Sequence, residues 1–199
     1  REDYPAVIDF ARAQFPGKKL QIVGHSVGGQ LVGILEQTDR IDAVITVAAQ
    51  HGYWRLFPWR QALTYGFFWY VVMPLLARLY GYFPSGRFKL GENLPKGVAL
   101  EWARFARSRH YMIDRDGTPL RAGFRAFTGP VLVYSVADDV RAPERCVRAL
   151  HAYYEKAQVE HRLVDPKALE VPAVGHVGFF LSKFKDSLWR ESLDWLRAH

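Results

Sequence analysis

The sequence predicts an α/β fold in which a mostly parallel sheet is flanked by helices. Two continuous apolar runs, at residues 43–49 and 131–134, are typical of strands buried on both faces of a parallel sheet. Segments with helical spacing alternate with these runs, which favours strands linked by helices. The 199-residue chain is long enough for a substantial core, and its 49% hydrophobic content excludes a disordered class.

The individual elements follow from apolar spacing and from the residues that stop helices. Helices are predicted over residues 6–15, 30–37, 143–154 and 189–196, and strands over 18–23, 43–49, 131–134 and 159–164. Pro16 and Gly17 end the first helix, and Pro143 suits the first turn of a later one. The pattern therefore continues to the end of the chain.

A long insertion at residues 53–128 interrupts this alternation and holds most of the aromatic residues. We expect it to form a helical cap between two core segments, at residues 1–52 and 129–199. Its run from Leu63 to Phe83 is apolar enough to raise the question of a membrane span. Small or charged residues interrupt that run at Gly66, Pro74, Arg78 and Gly81. We therefore favour a buried or cap helix over contact with a membrane interface and over a membrane span, and we predict no stable membrane insertion.

Charge and cysteine content exclude several functional classes. The formal charge is +7, but the basic residues are scattered and no nucleic-acid-binding signature accompanies them, so we predict no nucleic-acid partner. Cys146 is the single cysteine, which fits a reducing compartment, and no leader pattern opens the sequence. We expect a cytoplasmic protein.

Neither metal-ligand spacing nor a dinucleotide-binding pattern is present, so we predict no metal and no cofactor.

A glycine-rich turn carries the strongest chemical signal. The pentapeptide GHSVG at residues 24–28 follows a predicted strand and opens a predicted helix, as a strained nucleophile turn requires. Ser26 would project its hydroxyl above the sheet, and we expect Gly24 and Gly28 to avoid clashes with neighbouring backbone. The Val27 N–H would point at a developing oxyanion. We predict Ser26 as the nucleophile and Val27 as an oxyanion donor.

A histidine late in the chain is the predicted general base. A serine hydroxyl needs a base within hydrogen-bond reach, and after such a turn the acid and then the histidine follow in chain order. His176 fits this order, because it lies after the last predicted strand and before the terminal helix. The other histidines, which fit less well, are His25, His51, His110, His151, His161 and His199.

The acid is expected just beyond the strand at 131–134, where Asp138 and Asp139 are adjacent. Its role would be to orient the imidazole and to stabilise its positive form. Spacing leaves the choice between the two open. A turn that caps the helix at Pro143 is the alternative role for the pair.

With these motifs, the sequence resembles the α/β-hydrolase superfamily. The resemblance rests on residues 24–29, on residues 131–143 and on Gly175-His176. The acid segment of that family commonly reads strand, G-x-x-D, then x-x-x-P. Laid on this chain, it implies that Asp139 is the catalytic aspartate, although Val136 stands at the glycine position.

The chain also resembles predicted bacterial hydrolases related to serine aminopeptidases and esterases. Residues 51–54, 81–84 and 99–102 resemble the cap region of that group. The aromatic cap implies an apolar pocket, for which we expect substrate-binding contributions from His25, His51, Trp54, Trp102 and Phe179.

The start of the chain departs from the superfamily pattern. A complete fold of this kind resembles an eight-stranded sheet with the nucleophile after the fifth strand, whereas Ser26 follows the first predicted strand. The resemblance implies that early strands, and the loop with a second oxyanion donor, are missing. We therefore expect a fragment of a longer gene product, or another cover for an apolar sheet edge. Loss of one oxyanion donor costs about 10²–10³ in rate.

Together these observations predict a serine hydrolase that cleaves a small-molecule ester with an acyl or aryl group through an acyl-enzyme. Aminopeptidase action is the nearest enzymatic variant, and it would need Glu101 to hold an ammonium group. The alternative from a different class is a truncated, non-catalytic module. Such a module would bind a hydrophobic ligand or partner through the cap and the basic surface.

Overall fold

The structure, a computed structural model, describes residues 3–88 and 91–199. The chain divides into two compact units. The first unit comprises Arg1–His51 and Arg121–His199, and the second comprises Gly52–Leu120. The role of residues 53–128 as a cap over the active site stays a prediction.

Helices and strands alternate along much of the chain, as the sequence predicts. In chain order they are α1 (Asp3–Gln14), β1 (Gln21–His25), α2 (Val27–Val32), β2 (Ala43–Val47), α3 (Trp59–Phe67), α4 (Met73–Tyr80), β3 (Tyr82–Phe83), β4 (Leu94–Pro95), α5 (Lys96–Arg107), α6 (Ala122–Ala126), β5 (Pro130–Val136), α7 (Glu144–His151), β6 (Gln158–Val164), α8 (Gly175–Gly178) and α9 (Arg190–Ala198). Short 3₁₀ turns lie at Thr38–Arg40, Trp54–Leu56, Ser85–Phe88 and Ser182–Phe184, and π-helical turns at Phe68–Val72 and Lys185–Trp189.

A parallel sheet with strand order β1-β2-β5-β6 forms the centre of the first unit. Every residue of β2 is buried, and so is β5 from Val131 to Val136, because each strand has a hydrogen-bonded neighbour on both sides. This explains why both strands are continuous apolar runs in the sequence. The predicted α/β class with a mostly parallel sheet and flanking helices is confirmed.

Among the predicted boundaries that differ from the structure, two belong to the elements on either side of Ser26. The helix expected over residues 30–37 is α2, which ends at Val32, and Ile34 and Leu35 then make i→i−3 hydrogen bonds that tighten the chain into a turn. The strand expected over residues 18–23 is β1, which begins at Gln21 and runs directly into Ser26. This later start brings the end of the strand to the nucleophile turn.

In the second unit, α3 and α4 join through the π-helical turn into one helix of 22 residues, Trp59–Tyr80. By length and composition alone, this helix would be able to cross a bilayer. One of its faces packs into the core of the unit, which contains Met73, Ala77, Phe83, Ala99 and Ala103. The opposite face is exposed, so the expected buried helix is buried on one side only.

His151 is a fully buried histidine in the core of the first unit. Its Nδ1–H donates to the Val147 carbonyl oxygen at 2.8 Å, which leaves Nε2 to accept a hydrogen bond from the Thr46 hydroxyl at 2.7 Å. Burial lowers the pKa of His151 to about 4. The folded protein therefore holds this imidazole in its neutral form at neutral pH.

We expect the free energy of unfolding to fall as the pH drops from about 6.5, because the unfolded chain protonates His151 there and the folded chain does not. Between the unfolded and the folded pKa, His151 contributes a slope in the free energy of unfolding that approaches about 1.4 kcal/mol per pH unit. This slope declines as the pH nears the folded pKa of about 4. Urea unfolding at pH 7, 6 and 5 measures this slope. Burial also lowers the pKa of His25 and His161, so His151→Gln should reduce the slope without abolishing it. An unchanged slope in His151→Gln, with exposed His110→Gln as control, would contradict the assignment.

Candidate active site

Ser26 sits on a strained turn between β1 and α2. Its backbone has φ 48° and ψ −120°, a region that residues other than glycine rarely adopt. The Ser26 N–H donates to the Val47 carbonyl oxygen at 2.9 Å, and its own carbonyl oxygen accepts from the N–H groups of Gly29 and Gln30, each at 3.1 Å. The end of β2 and the start of α2 thus hold the strained conformation.

Two glycines allow this turn to pack, and they differ from the pair expected from the sequence. A Cβ atom at Gly24 would lie 2.6 Å from the Cα atom of Gly29, and one at Gly29 would lie 2.8 Å from the Cβ atom of Ala49. At Gly28 the nearest atom would be the Tyr4 hydroxyl oxygen at 3.6 Å, an ordinary contact. The steric requirement expected at Gly28 therefore belongs to Gly29.

Ser26, His176 and Asp139 form a continuous chain of hydrogen-bonding groups. His176 Nε2 lies 3.0 Å from Ser26 Oγ, and His176 Nδ1 lies 2.7 Å from Asp139 Oδ2. The Asp139 side chain is 1% exposed and that of His176 is 14% exposed. When Nδ1 donates to the carboxylate, Nε2 is free to accept the serine proton, which is the tautomer a general base needs.

The Asp139 carboxylate is held by backbone donors as well as by the histidine. Its Oδ1 accepts hydrogen bonds from the N–H groups of Arg141 at 2.8 Å and Ala142 at 3.1 Å. These donors supply hydrogen bonds that a buried carboxylate needs, and they fix the direction of Oδ2. Of the two candidate acids, the structure brings Asp139 to His176.

Asp138 contacts the loop that carries the histidine rather than its ring. Its Oδ2 accepts from the Val174 N–H at 3.0 Å, and its Oδ1 accepts from the Gly175 N–H at 2.9 Å. Gly175 has φ +63°, a left-handed conformation that glycine adopts without strain. Asp138 thus ties the turn after β5 to the residues immediately before His176, a role that the sequence analysis missed.

We expect Asp138→Ala to lower kcat/KM for an ester by roughly 10- to 100-fold, because misplacing a reacting group by about 1 Å has an effect of that size. The loss should fall mainly on kcat, since the variant leaves substrate contacts in place. Asp165→Ala is a matched control, because Asp165 also accepts a backbone N–H in its own loop, from Lys167 at 2.9 Å. Equal stability loss in both variants with no difference in kcat would contradict a positioning role.

His25 also contacts the histidine loop. Its Nε2 lies 2.7 Å from the His176 carbonyl oxygen, and the two imidazole rings are 5.0 Å apart at their centroids. Burial lowers the pKa of His25, and the neighbouring His176 ring acts in the same direction. Neutral His25 with a proton on Nε2 donates to that carbonyl. The residue predicted to bind substrate therefore supports the backbone of His176.

Phe179 and Phe180 have different surroundings. Phe179 is 3% exposed and packs on Tyr134 with ring centroids 5.0 Å apart, while its carbonyl oxygen accepts from the Trp189 indole at 2.8 Å. Phe180 is 42% exposed and meets the His25 ring edge-on at 5.3 Å. The exposed aromatic ring beside the histidine loop is thus that of Phe180, which the sequence analysis did not select.

The remaining predicted substrate-binding residues are His51, Trp54 and Trp102. His51 is 2% exposed, and its Nε2 is 2.8 Å from the Tyr153 hydroxyl oxygen, so little of its ring is open to a substrate. Trp54 and Trp102 belong to the second unit, where they pack edge-on against Tyr70 and beside Trp69, respectively. Their contact with a substrate stays a prediction.

Within residues 3–88 and 91–199, no cluster of three or more histidine, cysteine, aspartate or glutamate side chains is arranged to hold a metal ion. The side-chain nitrogen and oxygen atoms of Ser26, His176, Asp138 and Asp139 take part in the hydrogen bonds described above. The arrangement can deprotonate a serine and can return that proton to a leaving group.

Solved structures with this fold include several hydrolases. A monoacylglycerol lipase of Paleococcus ferrophilus matches with 16% identity and a TM-score of 0.53, over 100% of this chain and 74% of that one. A soluble variant of monoglyceride lipase from Saccharomyces cerevisiae, solved with a substrate analogue, matches with 14% identity and a TM-score of 0.62, over 98% and 66%. Est1E of Butyrivibrio proteoclasticus, solved with ferulic acid, matches with 16% identity and a TM-score of 0.53, over 98% and 67%. At these identities the likeness shows the fold.

No curated protein matches the chain by sequence. The sequence model of the alpha/beta hydrolase family matches residues 1–183, which include the serine turn, the acid turn and the histidine loop. The predicted resemblance is confirmed, and with it the prediction of a hydrolase: the chain belongs to the alpha/beta hydrolase family.

Proposed function

We propose that the protein hydrolyses carboxylic esters of small molecules through an acyl-enzyme on Ser26. The observation that carries the proposal is the unbroken series of contacts from the Asp139 carboxylate through His176 to the Ser26 hydroxyl. A structural serine would need neither a strained backbone nor a histidine whose second nitrogen is bound to a buried carboxylate.

In the first half-reaction, Ser26 Oγ attacks the acyl carbon while His176 Nε2 takes its proton. Asp139 stabilises the resulting imidazolium. The C–O bond to the leaving alcohol then breaks, and His176 returns the proton to that alcohol. In the second half-reaction, a water molecule gives a proton to His176 and attacks the acyl-enzyme. The acid leaves and Ser26 recovers its proton.

The negative charge of each tetrahedral intermediate needs hydrogen-bond donors. Val27 is the first residue of α2, so its N–H has no acceptor within that helix and lies at the positive end of the helix dipole. We propose this N–H as one donor of the oxyanion hole.

An ester with an apolar acyl group is the substrate that the surroundings favour. The exposed apolar side chains of Val27 and Val177 adjoin the nucleophile and the base in the chain, and the exposed Phe180 ring meets the His25 ring edge-on. The aminopeptidase variant has less support, because the Glu101 carboxylate is already paired with Arg104 at 3.0 Å. The similar structures named for lipase or esterase activity add to the case for an ester.

Hydrolysis of p-nitrophenyl esters, from acetate to octanoate, tests the proposal. The wild type should turn over these esters, and Ser26→Ala should lower kcat/KM by roughly 10⁴–10⁶-fold. Ser182→Ala, at an exposed serine of the same unit, is the matched control and should retain full activity. Equal rates for the wild type and Ser26→Ala would overturn the proposal. Binding of an apolar ligand by a folded, inactive wild type would favour the non-catalytic alternative.

A further inference from the structure

One face of the long helix Trp59–Tyr80 carries a line of exposed apolar side chains. They recur every four residues and are 43% to 70% exposed: Trp59, Leu63, Phe67, Val71, Leu75 and Leu79. We call these six residues the outer stripe. Residues four apart lie near one another on the same side of a helix, and the wider π-helical turn at Phe68–Val72 reduces the drift of this spacing around the helix axis. The stripe is larger than the scattered apolar residues of an ordinary surface.

The opposite face of the same helix is buried against other parts of its unit. Ala62, Gly66, Met73 and Ala77 are buried, and Met73 and Ala77 pack in one core with Ala99 and Ala103 of α5. A helix that spans a bilayer singly would present its whole circumference to lipid. Here one side of the helix is buried against the core of its unit, which suits a helix lying along a surface rather than across it.

Arginine side chains accompany the exposed aromatic rings of this helix. Arg60 lies 5.1 Å from the ring centroid of Trp59, Arg107 lies 5.4 Å from that of Tyr70, and Arg87 lies 5.9 Å from that of Tyr80. The three rings are each more than half exposed and occur at the start, middle and end of the helix. Guanidinium groups therefore border the apolar surface along its length.

The charge in this region has a single sign. The sequence from residue 43 to residue 91 contains no aspartate or glutamate, whereas Arg55, Arg60, Arg78 and Arg87 all fall within it. The whole chain carries a formal charge of +7. A partner for the stripe must therefore combine an apolar layer with negative charge beside it.

We propose that the outer stripe docks on an anionic lipid bilayer, with the helix parallel to the membrane plane. Apolar side chains would enter the boundary between headgroups and acyl chains, while the bordering arginines meet lipid phosphates. A second copy of this chain fits less well, because it would bring two sets of arginines together. An uncharged apolar partner would offer those arginines no negative charge to contact.

Flotation with lipid vesicles tests the proposal on the intact chain. The protein should float with vesicles of phosphatidylcholine and phosphatidylglycerol at a 3:1 ratio and much less with phosphatidylcholine alone, and added salt should weaken the binding. Two double variants, Phe67→Gln/Leu75→Gln and Arg60→Gln/Arg78→Gln, should each lower the partition coefficient about tenfold or more.

Matched variants in the first unit control for a general loss of exposed apolar surface and of positive charge. Phe10→Gln/Leu193→Gln removes apolar groups of similar exposure, and Arg190→Gln/Arg197→Gln removes the same charge. Both should bind vesicles as the wild type does. The proposal is overturned if the wild type does not bind anionic vesicles, or if control and stripe variants lose binding equally. It is also overturned if light scattering shows a dimer that Phe67→Gln/Leu75→Gln dissociates while the wild type does not bind vesicles.

Discussion

Replacing His176 with alanine is expected to lower kcat/KM for a p-nitrophenyl ester by roughly 10⁴–10⁶-fold. The reason is that Ser26 Oγ loses the acceptor 3.0 Å away, and a protonated serine hydroxyl is a poor nucleophile at neutral pH. Steady-state kinetics on purified protein measures the loss. Imidazole added to the buffer should restore part of the rate, because it fits the space that the side chain leaves.

His199→Ala is a suitable control for this prediction. His199 bonds the Trp195 carbonyl oxygen through Nδ1 at 2.9 Å, in the same unit as the proposed active site. That variant should retain the wild-type rate. A His176→Ala protein that is folded and keeps more than about a tenth of the wild-type activity would show that another group activates the serine.

The second large effect is expected at Asp139. Asp139→Asn should lower kcat/KM by about 10⁴-fold. The asparagine amide can donate to His176 Nδ1, which moves the ring proton to Nε2, and Nε2 then cannot accept the serine proton. The rate for each variant is measured with the same ester.

Asp138→Asn is the matched control for Asp139→Asn, since the two residues are adjacent and the substitution is identical. We expect Asp138→Asn to have a much smaller effect, because Asp138 binds the N–H groups of Val174 and Gly175 rather than the ring. Losses of equal size, or a larger loss for Asp138→Asn, would contradict the assignment of Asp139 as the acid.

The sequence predicted the fold best where a strand is buried on both faces. Strands β2 and β5 are buried on both faces, so almost every position in them is apolar and the runs are visible without an alignment. The ends of elements were less visible. The end of α2 depends on i→i−3 hydrogen bonds around Ile34, and the apolar pattern does not encode them.

The residues of the proposed active site were predictable where a motif and the chain order select one residue. They were less predictable where two adjacent residues of the same type were both candidates. Ser26 and His176 were selected by their place in the chain order, and the structure brings them together. Asp138 and Asp139 differ only in side-chain direction, which spacing cannot distinguish. Phe179 and Phe180 present the same difficulty, because the turn of α8 decides which ring is buried.

The helix Trp59–Tyr80 shows a different limit of sequence reading. Its residues are apolar on nearly all sides, so periodicity indicates a helix but not the face that meets a protein core. Here the small residues Ala62, Gly66 and Ala77 are buried, and larger ones such as Leu63 and Phe67 are exposed. Close packing between helices, rather than hydrophobicity, selects the inner face.

Labelling with a fluorophosphonate probe tests the central claim most directly, because the probe reacts with an activated serine and requires no knowledge of the substrate. The account predicts that the folded wild type is labelled, that mass spectrometry locates the adduct on Ser26, and that Ser26→Ala is not labelled. A folded wild type that stays unlabelled, or that carries the adduct on another residue, would contradict the claim that Ser26 is an activated nucleophile.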